Sequence, residues 1–122
     1  VRTMTEDIDR LLTDEGRNSL RDHLIDSIDE ISVGDGETQV RATDTALENE
    51  LYRDDASNEA DGTGEVVTTV QLGLADVNGR QLSELMLHTG DGSLARIVVG
   101  GTEKTEDLEL AFETQVKARN TE

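Results

Sequence analysis

His23 and His88 are the only histidines, and histidine is the side chain best suited to proton transfer or metal binding near neutral pH. Neither belongs to an HxxxH or HxH pair, so the spacing supports no zinc site, and a surface or packing role is expected for both. Asp54, Asp55, Ser57, Glu59 and Asp61 offer oxygen ligands for a hard cation. A calcium loop needs glycine at its sixth position, and counting from Asp55 that place is Ala60. A solvated acidic loop is therefore expected, with loose cation binding as the alternative. None of Ser19, Ser27, Ser32, Ser57, Ser83 and Ser93 sits in a GxSxG elbow. Gly34-Asp35-Gly36 is too short for a dinucleotide or phosphate-loop fingerprint, and no GK[ST] follows it. Carboxylate pairs recur along the whole chain and so carry no information about acid–base chemistry. With no nucleophile–base pairing and no catalytic, cofactor or metal set in the sequence, a non-enzymatic protein is expected.

The elements that would position these residues begin at Leu12. Thr13 is a good N-cap, and Asp14 and Glu15 follow in the first turn, where negative charge suits the helix dipole. Leu20, Leu24 and Ile28 repeat at helical spacing on a charged background, which predicts a helix lying against a flat surface. Ile31 and Val33 predict a short strand, and Gly34 and Gly36 give the chain after it backbone freedom. Glu37 to Asp44 reads as a loop. Asp44 or Thr45 could cap a second short helix from Ala46 to Leu51, with Leu47 and Leu51 one turn apart. Arg53 to Gly64 carries four acids and no large apolar residue, and reads as an exposed excursion.

The second half reads as strands. Val66, Thr68, Val70, Leu72 and Leu74 alternate with Val67, Thr69, Gln71 and Gly73. Asn78-Gly79 marks a turn, Leu85 and Leu87 flank Met86 in a strand, and Gly90-Asp91-Gly92 turns again. Leu94 to Val99 is another strand, which Gly100-Gly101 breaks. Leu108, Leu110, Phe112, Thr114 and Val116 form the inward face of a last strand, with Glu109 and Glu113 outward. The fold class expected is α+β: an N-terminal helix and a short second helix packed with an antiparallel β-sheet or sandwich. Residues 1–122 form one domain, with Val1 to Arg10 a mobile arm or a first helical turn whose one strong anchor is Ile8.

Composition sets the environment. The 28 acids against 11 basic residues give a formal net charge of -17, and only Lys104 and Lys117 are lysines. Acids are spread along the whole chain and interleaved with clean apolar periodicity, which argues for adaptation to molar salt rather than for disorder. The screening length falls to ~3 Å at 1 M salt, so self-repulsion largely vanishes there. Nucleic-acid binding is disfavoured, because phosphate contacts need a basic patch. No run approaches the ~20 apolar residues of a membrane helix. Cysteine is absent, which excludes disulfides and thiolate metal sites.

The ordered set of stretches resembles virion proteins of tailed viruses. After the helix of Leu12 to Leu20 come I-x-V-G-x-G (Ile31 to Gly36) and T-D-T-A-L-x-N-E-L-Y-R (Thr43 to Arg53). N-G-R-x-L-S-E-L-x-L (Asn78 to Leu87), G-S-L-A-R (Gly92 to Arg96) and K-T-E-D-L-E-L (Lys104 to Leu110) follow. The pattern is similar to the domain that begins many tail-fibre and baseplate proteins, and with the acid excess it resembles a structural protein of a haloarchaeal virus. The resemblance implies a non-enzymatic tail, baseplate or fibre-attachment subunit, assembled in the host cytoplasm into the virion. Its implied partners are copies of itself and other tail or baseplate proteins, without nucleic acid, membrane or cofactor. Proline is absent, although related loops after G-x-G often carry one. The last strand lies close to Glu122, which favours an adaptor, baseplate or decoration subunit over a receptor-binding fibre. A capsid decoration or turret protein is the alternative. A carbohydrate-binding surface module is the other, weakened by having only Tyr52 and Phe112 as aromatic platforms.

Assembly is expected to run through the two loops. Arg41 and Arg53 are positive points on an acidic molecule, and identical acidic subunits need such points where they meet. Asp35 and Glu37 complete the candidate assembly interface, on loops that a rigid scaffold would hold.

Overall fold

The computed structural model describes residues 13–117. The expected N-terminal arm, with Ile8, and Leu12 lie outside the described residues. Helix α1 spans Asp14–Ser27, and Thr13 caps it as expected: its Oγ1 accepts the Gly16 N–H at 3.0 Å. The expected apolar stripe is only partly used. Leu24 packs on the core, Ile28 has left the helix, and Leu20 is exposed. No residue of α1 is fully buried. Polar bonds hold the helix instead, because its charged faces have little apolar area to bury.

Among the described residues seven strands follow: β1 (Ile28–Gly34), β2 (Glu50–Asp55), β3 (Ser57–Ala60), β4 (Glu65–Leu72), β5 (Arg80–Thr89), β6 (Gly92–Lys104) and β7 (Leu110–Lys117). One antiparallel sheet has the order β2-β1-β5-β6, and the other has the order β3-β4-β7. Ile31, Val33, Leu85 and Leu87 of the first sheet share one core with Val70 and Leu72 of the second, closed by Ile28 and Leu82. The alternation read along β4 holds from Val66 to Leu72, while Leu74 lies beyond the strand and is exposed. In β7 the inward register is as expected for Leu110, Phe112 and Val116, with Glu113 outward, but Leu108 precedes the strand and is exposed.

Among the described residues the protein has one helix, not two. The segment read as a second helix is irregular to Asn49 and then forms β2. Leu47 and Leu51 do not share a helical face: Leu47 is buried and Leu51 lies in the strand. The excursion from Arg53 is also structured. It carries the end of β2 and all of β3, joined at Ala56, whose N–H donates to Asp29 O at 2.9 Å as the chain passes from one sheet to the other. These are edge strands, so backbone pairing holds them while acidic side chains stay in water. Asn58 shows how much rests on this segment. Its Nδ2 donates to Ile25 O and Ile28 O at 3.1 and 2.7 Å, and its Oδ1 accepts from Thr68 Oγ1, tying the helix end to β4.

Gly100-Gly101 does not break β6. The register with β5 slips between the pairs Leu82↔Thr102 and Glu84↔Val98, so three residues of β6 oppose Ser83. The glycines form a bulge, and the strand continues to Lys104.

Candidate functional site

Leu85 and Leu87 point into the core, so β5 turns Glu84, Met86 and His88 to the other face of its sheet. That face is covered, and all three side chains are buried. The cover is the irregular chain between β1 and β2, held by a fully buried carboxylate. Glu84 Oε1 accepts the N–H of Gly36 at 3.0 Å and of Asn49 at 2.9 Å. Its Oε2 accepts the Glu48 N–H at 3.1 Å and Arg96 Nε and Nη2 at 3.0 and 2.8 Å. Arg96 lies diagonally across the β5–β6 ladder, where Met86 pairs with it and Glu84 pairs with Val98. Its Nη1 donates to Thr38 O at 3.0 Å and to Asp44 Oδ2 at 3.3 Å, and its Nη2 also reaches Thr38 Oγ1 at 3.2 Å.

A buried ion pair survives only if its remaining hydrogen-bonding capacity is filled. Here it is, and the electrostatics follow. Burial works to raise the Glu84 pKa, but the Asn49 N–H, the Arg96 guanidinium and the N–H groups of Glu48 and Gly36 outweigh it and hold the carboxyl below its ordinary 4.5. Burial likewise works to lower the Arg96 pKa, and the Glu84 carboxylate reverses it.

The clamp explains two departures from the sequence reading. The N–H groups of Glu48 and Asn49, at the start of the expected second helix, are taken by Glu84. Gly34 and Gly36 do not serve by left-handed angles, since neither has a positive φ. They serve by close approach: a Cβ on Gly34 would lie 2.2 Å from Asn49 O, and one on Gly36 would lie 2.7 Å from Glu84 Oε1.

The expected interface residues are not gathered into one patch. Asp35 accepts from Arg80 Nη2 and Asn49 Nδ2, both at 2.8 Å, and the Arg80 guanidinium foremost lowers its pKa. Arg53 is paired within its own chain, to Glu50 at 2.7 Å and to Glu30 at 3.4 Å. Glu37 is exposed. Arg41 is exposed on the clamped loop; its backbone N–H donates to Asp44 Oδ2 at 2.9 Å, and its side chain makes no ion pair among the described residues. Beside it is an open cleft of about 320 Å³ lined by Val40, Arg41, Ala42, Ser93 and Leu94.

Two further polar groups are buried: His88, for which a surface or packing role was expected, and Lys104, which had no expected role. Ser32 Oγ and His88 Nε2 are 2.7 Å apart, the nucleophile–base contact that no spacing revealed. Both side chains are buried, and the contact satisfies their polar atoms within the fold. Lys104, also fully buried, donates from Nζ to Asn78 Oδ1, Thr105 O and Leu74 O at 2.8, 2.9 and 3.3 Å. It orders the turn between β4 and β5. His23 is exposed on α1, and no group of three or more metal-ligating side chains comes together among the described residues.

Comparison with known proteins adds nothing to this geometry. No family model, curated protein or solved structure matches the chain. No helix among the described residues is long and apolar enough to cross a membrane.

Glu84 and Arg96 were absent from the expected site. A charge set inside each of the apolar runs of β5 and β6 was the signal that could have found them. The four central stretches of the resemblance supply nearly the whole clamp: Gly36, then Asp44, Glu48 and Asn49, then Glu84, then Arg96.

Proposed function

We propose that this chain is a non-enzymatic virion structural subunit of tail or baseplate type, from a virus of a high-salt host. In this reading it works by presenting a fixed loop to copies of itself and to neighbouring virion proteins. The observation that carries the proposal is the Glu84–Arg96 clamp. It spends two buried charges on holding fifteen residues of irregular chain in one shape, and leaves Val40 and Arg41 outward on that chain. A docking surface gains from such rigidity, because an ordered loop loses little entropy on binding. The resemblance points the same way, since its central stretches build the clamp. Arg41 is the favoured contact of the expected set, because Arg53 and Asp35 already have partners in their own chain.

A mass-spectrometric inventory of purified particles tests the reading. The subunit is expected among the virion proteins, and an Arg41→Glu variant is expected to fold yet be depleted from particles. Absence of the chain from intact particles overturns the virion assignment. Normal incorporation of the Arg41→Glu variant overturns the loop as the docking point.

A further inference from the structure

The two sheets have four outer strands, and three of them are guarded against pairing with another chain. β2 carries Glu50, Arg53, Asp54 and Asp55; β3 is only four residues long and includes Glu59; β7 carries Glu113 and Lys117. β6 is different. From Ser93 to Thr102 it has no acid, in a chain with 28 of them, and its one charge there, Arg96, is buried. The other acid-free run of that length, Val66 to Ala75, lies mostly on β4, which is paired on both sides. Leu94 and Val98 are 42% and 36% exposed on β6, with Val40 of the clamped loop 43% exposed. Among the described residues, no backbone hydrogen bond reaches the outer side of β6 between Ser93 and Thr102.

We infer that β6 pairs antiparallel with β6 of a second copy across a two-fold axis, joining two four-stranded sheets into one of eight. Charge selects the occupant. At contact distance most approaches of two copies set acid against acid, whereas this pairing sets one acid-free run against another. A β6 edge meeting β2, β3 or β7 of another copy would instead face acids. The register of β6 with β5 shifts at Leu94 and again at Val99–Gly101, so the regular edge open to pairing runs over Ala95–Val98, with Leu94 at its end. An axis at Arg96 then sets Leu94 of one copy opposite Val98 of the other, so the exposed apolar residues cover each other. Each Arg96 is already held by Glu84 and Asp44 of its own copy, so the two guanidinium groups near the axis are compensated. The inference rests on the sheet edges and not on the virion reading, and either can fail alone.

The test uses the full chain in molar KCl. Light scattering is expected to give twice the 13.3 kDa chain mass, falling toward one chain on dilution. A Leu94→Glu/Val98→Glu variant, changed only at exposed positions, is expected to keep its circular dichroism while its dimer dissociation constant rises about 100-fold or more. The chain has no cysteine, so a Leu94→Cys/Val98→Cys variant adds a clean probe. Four residues apart on one strand, the two thiols are too distant to join within a chain. Mild oxidation is expected to link copies of this variant covalently, and neither single-cysteine variant. A monomer at all concentrations overturns the inference, as does a dimer untouched by the Glu pair. Monomers whose β6 amides resist hydrogen exchange at every dilution also overturn it, because another part of the same chain would then hold the edge.

Discussion

Glu84 with Arg96, and Lys104, are buried charges on the same β5–β6 hairpin, and each fixes a stretch of irregular chain. They differ in what balances the charge. Glu84 and Arg96 compensate each other and bond backbone on both sides of the loop. Lys104 has no carboxylate within ion-pair distance among the described residues and is solvated by three neutral oxygens. The long connection from Asp35 to Asn49 needs donors and acceptors at several points, which a carboxylate–guanidinium pair supplies. The short turn from Gly73 to Gly79 needs one donor aimed at converging oxygens, which a lysine supplies. The two sites also fail differently. Removing one member of an ion pair strands a buried charge, whereas removing Lys104 strands only neutral oxygens.

The largest effect expected follows from that difference. Arg96→Met leaves the Glu84 carboxylate buried without its counterion and is expected to cost about 3–5 kcal/mol in denaturant unfolding. A Glu84→Leu/Arg96→Met double variant is expected to cost less than the sum of the two single changes. It should remain clearly destabilised, because the N–H groups of Gly36, Glu48 and Asn49 lose their acceptor. A double variant as stable as the wild type would show that the loop does not depend on the clamp.

Lys104→Met is expected to cost about 1–3 kcal/mol, the range for neutral acceptors left unsatisfied in the interior. A loss equal to that of Arg96→Met would erase the distinction between the sites.

Acid sharpens it further. His88 is held below its ordinary 6.5, first by burial and then by the Arg53 charge, so the fold favours its neutral form. Its contribution is fully present above about pH 6.5 and is lost as pH falls from there toward its folded-state value. Glu84 is also depressed, so its contribution is present above about 4.5 and is lost as pH falls through its lower folded value. Melting curves against pH should show two separate losses, the upper one absent in His88→Gln.

The smallest effects are at the surface. Arg53→Ala removes pairs that are about two-fifths exposed and is expected to change stability by less than ~1 kcal/mol. Molar KCl is expected to raise the melting temperature of the wild type, because -17 units of charge repel when unscreened. The gap between Arg96→Met and Lys104→Met should not change with salt, since both sites are shielded from solvent ions. A wild type equally or more stable in dilute buffer would remove the argument for a high-salt origin.

Much was legible in the residues alone. Thr13 capped its helix because a hydroxyl before an acidic turn meets its N–H partner within one turn of chain. The strands over Val66–Leu72 and Leu110–Val116, and the turns at Asn78-Gly79 and Gly90-Asp91, followed from period-two patterning and glycine placement, which are local properties. Leu47 and Leu51 misled because helical spacing was present, while the group that captured the backbone, Glu84, lies more than thirty positions away. The strands from Arg53 to Ala60 were hidden because edge pairing uses backbone and leaves no apolar trace. Gly34 and Gly36 were singled out for the wrong reason: their need is for space, and only the fold brings Asn49 and Glu84 against them. The sequence by itself determined the helix start, most strands and the net charge of -17. The tertiary structure decided which charges are buried, since each depends on donors and acceptors drawn together from distant parts of the chain.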